Sequence, residues 1–243
     1  MVLCNPCLKE SMILPEPNNT TIKGPYPKIG FEIDSINNDF KCVAIWLDGQ
    51  DCTVEAYTVG SDSWRELNIY QDIIYSLIGT QLNDGICWRG VCYWFVWSYS
   101  YDACENILTF NMSDEEVELI ALPSFDEPLV PDYLPHLSVW KDSVVMCWRF
   151  NGNILHISTM DGTKVVKVPL ENCFRVLPFS KNDDILIKVW KDCRVEPQLV
   201  SCNLRRGMLR ELVYVLELDR NIFAFLGCFY VKSLVSIRRG GEV

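Results

Sequence analysis

Polar turns cut this chain into short apolar runs, and the runs return in a fixed order. An apolar strand, a polar turn and a second apolar strand follow one another near Leu3 (LCNPCLKESMILP), Val54 (VEAYTVGSDSWREL), Leu108 (LTFNMSDEEVELIALP), Leu155 (LHISTMDGTKVVKVPL) and Leu199 (LVSCNLRRGMLREL). The steps between copies are 51, 54, 47 and 44 residues. A four-stranded propeller blade occupies roughly 40 to 50 residues. The pattern therefore predicts an all-β, propeller-like ring of about five four-stranded blades, with residues 1–243 forming a single domain.

The third repeat is the clearest. His136 to Trp140 leads to a Lys141-Asp142 turn, and Val144 to Trp148 is a continuous apolar run. Such a run suits a strand covered on both faces. Asn151-Gly152 and Asp161-Gly162 are hairpin turns of the kind that needs positive φ, and they separate the strands Ile154 to Thr159 and Val165 to Val168. The second repeat has the same layout, Ile86 to Trp97 and then Ile107 to Leu122. The first hairpin, Leu3 to Leu14, has no inner strands before it, and the last strands, Ile222 to Phe225 and Phe229 to Ile237, have no outer hairpin after them. The C-terminal strands are therefore expected to complete the first blade and close the ring, which removes exposed edges. Four segments are long enough for functional loops: Glu16 to Lys28, Asn68 to Asp84, Ser98 to Glu105 and Ser124 to Pro135. The second, containing IYQDIIYSLIG, has room for a short amphipathic helix.

Composition narrows the function classes. Of the 243 residues, 49% are apolar and 12% aromatic, enough for a real core. A net charge of −10 with no basic stripe, only the isolated pairs Arg205-Arg206 and Arg238-Arg239, argues against nucleic acid. An acidic surface favours basic partners and also confers solubility. The longest apolar run, Val91 to Trp97, cannot span a bilayer, and no secretory signal opens the chain, so a cytoplasmic location without membrane association is expected. Most of the twelve cysteines, among them Cys42, Cys87, Cys92, Cys147 and Cys228, fall inside apolar strands and read as free structural thiols. Cys4-x-x-Cys7 has no second pair or nearby histidine, so no metal is expected.

A second phrase, Trp, cation and a small turn residue, occurs at Trp88-Arg89-Gly90, Trp140-Lys141-Asp142 and Trp190-Lys191-Asp192. Its spacing of 52 and 50 residues gives Trp88, Trp140 and Trp190 one structural role, the same packing slot in each blade, with the cations at turns facing neighbouring acids. Trp64 reads as an outer-hairpin packing residue, and Asp114-Glu115-Glu116 as a solvated tip. Trp97, Tyr99 and Tyr101 run from a strand into a polar loop and are the residue types enriched at interface hot spots, although they would also serve to cover the top of a blade. Asp126, Glu127 and Asp132, on a proline-rich loop, could meet a basic partner.

For catalysis the inventory is thin. His136 and His156 fall in strand patterns, and no nucleophile elbow, phosphate loop or H-E-x-x-H occurs. No catalytic residue and no cofactor is assigned. Some five-bladed propellers are glycoside hydrolases that use two channel carboxylates. Most acids here occupy turns, Asp142 and Asp192 being the exceptions, so this remains the runner-up from another class.

LCNPCLKESMILPEP, GFEIDSINNDFKCVAI, VEAYTVGSDSWREL, WRGVCYWF, ILTFNMSDEEVELIALP and YVKSLVSIRRG resemble the F-box-associated domain of plant F-box proteins, most closely the branch that includes the S-locus F-box proteins of pollen. The resemblance implies a propeller-type platform that captures a target protein, coupled by an N-terminal F-box to a cullin-RING ubiquitin ligase. It also implies a basic target such as a pistil ribonuclease. A ubiquitin-independent binding platform is the alternative. No F-box precedes Leu3, so binding to the ligase adaptor is expected only where one is supplied upstream. The family's stretch after the midpoint is replaced here by the shorter ILHISTMDGTKVVKV.

Overall fold

The computed structural model describes residues 2–5, 8–18, 27–34, 36–37, 39–48, 51–83, 85–98, 103–122, 135–150, 154–162, 165–169, 173–181, 184–190, 198–203, 206 and 208–211. Contacts divide the chain into two compact units, one containing Met1–Ala121 and the other spanning Leu122–Phe229. Both are built mainly from antiparallel strand pairs, as the repeated strand–turn–strand phrase predicts.

In the first unit, β1 (Val2–Asn5) and β2 (Glu10–Ile13) form the lone hairpin. A four-stranded sheet follows in chain order: β3 (Lys28–Asp34), β4 (Asp39–Leu47), β5 (Cys52–Thr58) and β6 (Ser63–Glu66). Lys41 to Trp46 of β4 are buried without interruption, because that strand is covered on both faces. The crossover to the next sheet carries α1 (Gln71–Leu77), inside the segment where a short helix was expected. Ile73, Ile74 and Leu77 turn onto the core beside Val54, Trp94 and Phe110.

The second sheet contains β7 (Thr80–Leu82), β8 (Ile86–Trp88), β9 (Val91–Ser98), β10 (Ala103–Asn111) and β11 (Val117–Ala121). Both β7 and β8 pair with β9, so its first strand is broken in two. The break centres on Gly85. A Cβ there would stand 2.3 Å from the Tyr93 carbonyl oxygen and 2.4 Å from the Trp94 ring. Only glycine permits that approach.

In the second unit, β12 (His136–Trp140), β13 (Ser143–Phe150), β14 (Ile154–Thr159) and β15 (Val165–Pro169) reproduce the four strands read from the sequence. Asp161-Gly162 is not the two-residue turn expected. Gly162 alone of the pair has positive φ, and its N–H donates to the Thr159 carbonyl in a longer turn. β16 (Cys173–Lys181), β17 (Asp184–Trp190), β18 (Gln198–Asn203) and β19 (Met208–Glu211) make the next four-stranded array. The two arrays are not separate. β12 and β16 pair in parallel at Val139 and Phe179, which yields one eight-stranded sheet. First strands of successive repeats run the same way, so their free edges can meet in parallel register.

The hairpins β1–β2, β5–β6, β10–β11, β14–β15 and β18–β19 are the five repeated copies. The ring-closing strands expected at Ile222 to Phe225 and Phe229 to Ile237 lie outside the described residues.

Candidate interaction surface

The Trp-cation phrase folds identically in two places. Arg89 and Gly90 join β8 to β9 with φ of 52° and 80°, and Lys141 and Asp142 join β12 to β13 with φ of 48° and 64°. Positive φ at both central positions is the hairpin turn whose twist matches the strands. In each, the cation folds over the preceding ring, Arg89 Cζ 6.0 Å from the Trp88 centroid and Lys141 Nζ 4.5 Å from that of Trp140. These contacts are cation–π geometry. Trp140 is buried, while Trp88 is only partly so.

The third member does not belong to the set. Trp190 closes β17, the second strand of its array, whereas Trp140 closes the first. Hairpin position sets the phase of the repeat, and a 50-residue spacing alone cannot report it.

A buried ionic cluster ties the first sheet to the turn of the second. Lys41 Nζ lies 2.7 Å from Asp34 Oδ2, 2.8 Å from Glu115 Oε1 and 2.7 Å from the Met112 carbonyl oxygen, so all three ammonium protons have acceptors. Asp34 is fully buried. It also accepts from the amides of Ile36 and Asn37, the Asn37 side chain and the Ser113 hydroxyl. Glu115 pairs with Arg65 as well. Burial pushes the Asp34 carboxyl up, but the Lys41 ammonium and the Asn37 and Ile36 donors outweigh it and hold the group well below the usual carboxylate range. Glu115 is therefore a part-buried anchor, while Asp114 and Glu116 beside it are exposed at the tip. The φ of Glu115 is positive, 58°.

Two further corrections concern cysteine and aromatic residues. Cys87 and Cys92 form a disulfide across the β8–β9 hairpin and are not free thiols. A two-residue turn places those positions directly opposite each other. Cys42 and Cys147 are free and buried, as expected. Trp97, read as a possible hot spot, is 6% exposed and paired between β7 and β10, so it packs instead of projecting. Tyr99, Tyr101, Asp126, Glu127, Asp132 and Asp192 lie outside the described residues. Asp142 is exposed at its turn.

The exposed aromatic surface that sequence reasoning missed is on α1. Tyr70 is 74% exposed and Tyr75 64%, with Ile78 also outward. The signal was present: Ile73, Ile74 and Leu77 at helical spacing claim the inner face, which leaves Asp72 and Tyr75 outside. α1 packs on β11, where Val117 and Leu119 face the core and Glu118 and Ile120 face out.

Among the described residues no group of three histidine, cysteine, aspartate or glutamate side chains could hold a metal ion, and no helix is long and apolar enough to cross a membrane.

A family model described as the F-box associated beta propeller domain matches residues 1–152. No curated protein sequence matches the chain. Three solved structures illustrate the more distant likenesses. A nidogen/laminin complex aligns with TM-score 0.48 and 14% identity, covering 83% of this chain and 66% of that one. A prolyl endopeptidase gives 0.44 and 11%, covering 78% of this chain and 26% of that one. The exo-β-1,3-galactanase from Phanerochaete chrysosporium with β-1,3-galactotriose gives 0.44 and 9%, covering 81% and 52%.

Proposed function

Because this chain belongs to the F-box associated β-propeller family, we propose that it is the substrate-recognition part of a cullin-RING ubiquitin ligase. In this reading it captures a basic target protein in the cytoplasm, and a pistil ribonuclease met in self-incompatibility is the target class. It acts by binding, with no catalytic step of its own. The family match over residues 1–152 carries the reading. The net charge of −10 supports a basic target, since complementary charge speeds encounter and suppresses wrong partners. The sheets supply a rigid frame, and rigid frames with exposed connections are where recognition residues concentrate.

The experiment is a titration of the purified chain with a basic pistil ribonuclease at low and high ionic strength. Saturable binding that weakens as salt rises is expected. Absence of binding at every ionic strength would remove the ribonuclease, and failure to bind any purified floral protein would remove the capture role. Immunoprecipitation of the native gene product decides the ligase link: adaptor and cullin subunits should accompany the target.

A further inference from the structure

The β6–β7 crossover presents a surface that nothing in the fold requires to be aromatic. The inward residues Ile73, Ile74 and Leu77 already fasten α1 to the core. Tyr70 and Tyr75 contribute their rings to solvent instead. Asp72 and Tyr75 are three residues apart in the helix, so they are neighbours on its outward face. From Glu66 to Trp88 the sequence contains the acids Glu66, Asp72 and Asp84 and no lysine or arginine. Glu66, at the end of β6, is exposed at the start of the same crossover.

A carboxylate beside an exposed tyrosine ring is a receptor for a cation: the ring face attracts it and the carboxylate pairs with it. Exposed apolar residues next to such a pair take the aliphatic side of the same ligand. The geometry points to the outward face of α1 as the docking site for an arginine- or lysine-bearing segment of a partner protein. One cation lies over Tyr75 beside Asp72, and the partner's apolar residues cover Tyr70 and Ile78. Charge selects this occupant over the alternatives. A second copy of a chain with net charge −10 would bring acid against acid, and the anionic surface of a membrane would be repelled in the same way. The inference rests on the protein-capture reading above and assigns it a surface.

The test uses the full chain and a fluorescent decapeptide of alternating arginine and leucine, with alternating glutamate–leucine and arginine–serine peptides as controls. Fluorescence anisotropy should show saturable binding of the arginine–leucine peptide alone. Tyr75→Ser should weaken it at least about fivefold, and Asp72→Asn about two- to threefold with a shallower salt dependence. Tyr75→Leu, which keeps bulk but not the ring, should also weaken it, which separates ring recognition from general apolar contact. Circular dichroism should show every variant folded, because the substituted positions are exposed. Equal binding by wild type and variants, or no binding, overturns the site. Dimerisation of the wild type that Tyr75→Ser abolishes also overturns it, in favour of a second copy. Ribonuclease capture that persists in Tyr75→Ser would sink this surface while leaving the capture function intact.

Discussion

Lys41 Nζ lies 2.8 Å from Glu115 Oε1, an ion pair between residues of different sheets that is closed from behind by the fully buried Asp34. A lysine so enclosed is tolerable only because each of its protons is accepted. Lys41→Met would leave the buried Asp34 carboxylate without its cation, while Glu115 keeps Arg65. Urea denaturation followed by tryptophan fluorescence should show a loss of about 3 to 5 kcal/mol. A change below about 1 kcal/mol, the range of exposed pairs, would mean that the cluster is wet.

The same cluster sets an acid limit. The folded Asp34 carboxyl titrates below its ordinary value of 3.8. The folded state therefore favours the ionised form, and its contribution is complete above about pH 4. As pH falls below that value, toward the lowered folded pKa, the contribution is lost. Stability measured down through this range should fall in wild type and fall less steeply in Asp34→Asn. Identical slopes would contradict the assignment.

Gly30 packs on the neighbouring sheet so closely that an added Cβ would stand 2.6 Å from Cys92 Sγ and 3.0 Å from Trp94. Gly30→Ala should destabilise by about 1 to 3 kcal/mol through overpacking and shift the tryptophan emission. Gly79 offers the contrast. It has open space around it but a φ of 71°, so Gly79→Ala should cost about 1 kcal/mol from backbone strain and leave the emission unchanged.

Burial pushes the thiols of Cys42, Cys52 and Cys147 up to about 12 and that of Cys202 to about 11. Thiolate, not thiol, is the nucleophile. Iodoacetamide at mildly alkaline pH should therefore leave these four unmodified in the folded protein and label all of them in denaturant, as read by peptide mass mapping. Cys87 and Cys92 should be labelled in denaturant only after reduction.

Trp64 holds the first hairpin. Its Nε1–H donates to the Pro15 carbonyl at 2.9 Å, and its own carbonyl accepts from Asn18 at 3.2 Å. Trp64→Phe removes the donor and shrinks a buried ring, so the lost hydrogen bond and the cavity together should cost about 2 to 3 kcal/mol. Limited proteolysis should then cut near Pro15 sooner than in wild type.

What could be read beforehand was local. The four strands from His136 to Pro169 follow from continuous apolar runs bounded by turn residues, and the helix at Gln71–Leu77 from Ile73, Ile74 and Leu77. What escaped notice depends on sequence-distant meetings or on phase. Lys41 and Glu115 are 74 positions apart, and nothing in either neighbourhood announces the other. Trp190 kept the spacing of Trp140 but sits one strand later, because connection lengths vary between repeats. The Cys87–Cys92 link was accessible: with a two-residue turn at Arg89-Gly90, the flanking strands must oppose those two positions. The exposed tyrosines were equally within reach once the inner face of α1 was assigned.

The anchoring of the first hairpin has a consequence for how the chain matures. Among the described residues, Leu3 and Leu14 are buried in a cluster with Cys42, Ala44, Trp46, Tyr57 and Trp64. At roughly 5 to 20 residues per second, the ribosome adds Trp64 about 3 to 10 seconds after Leu14. During that interval a two-stranded hairpin has no core to rest on and is at best marginal. The earliest of the repeated hairpins to be made is thus held in waiting for a tryptophan that has not yet been translated.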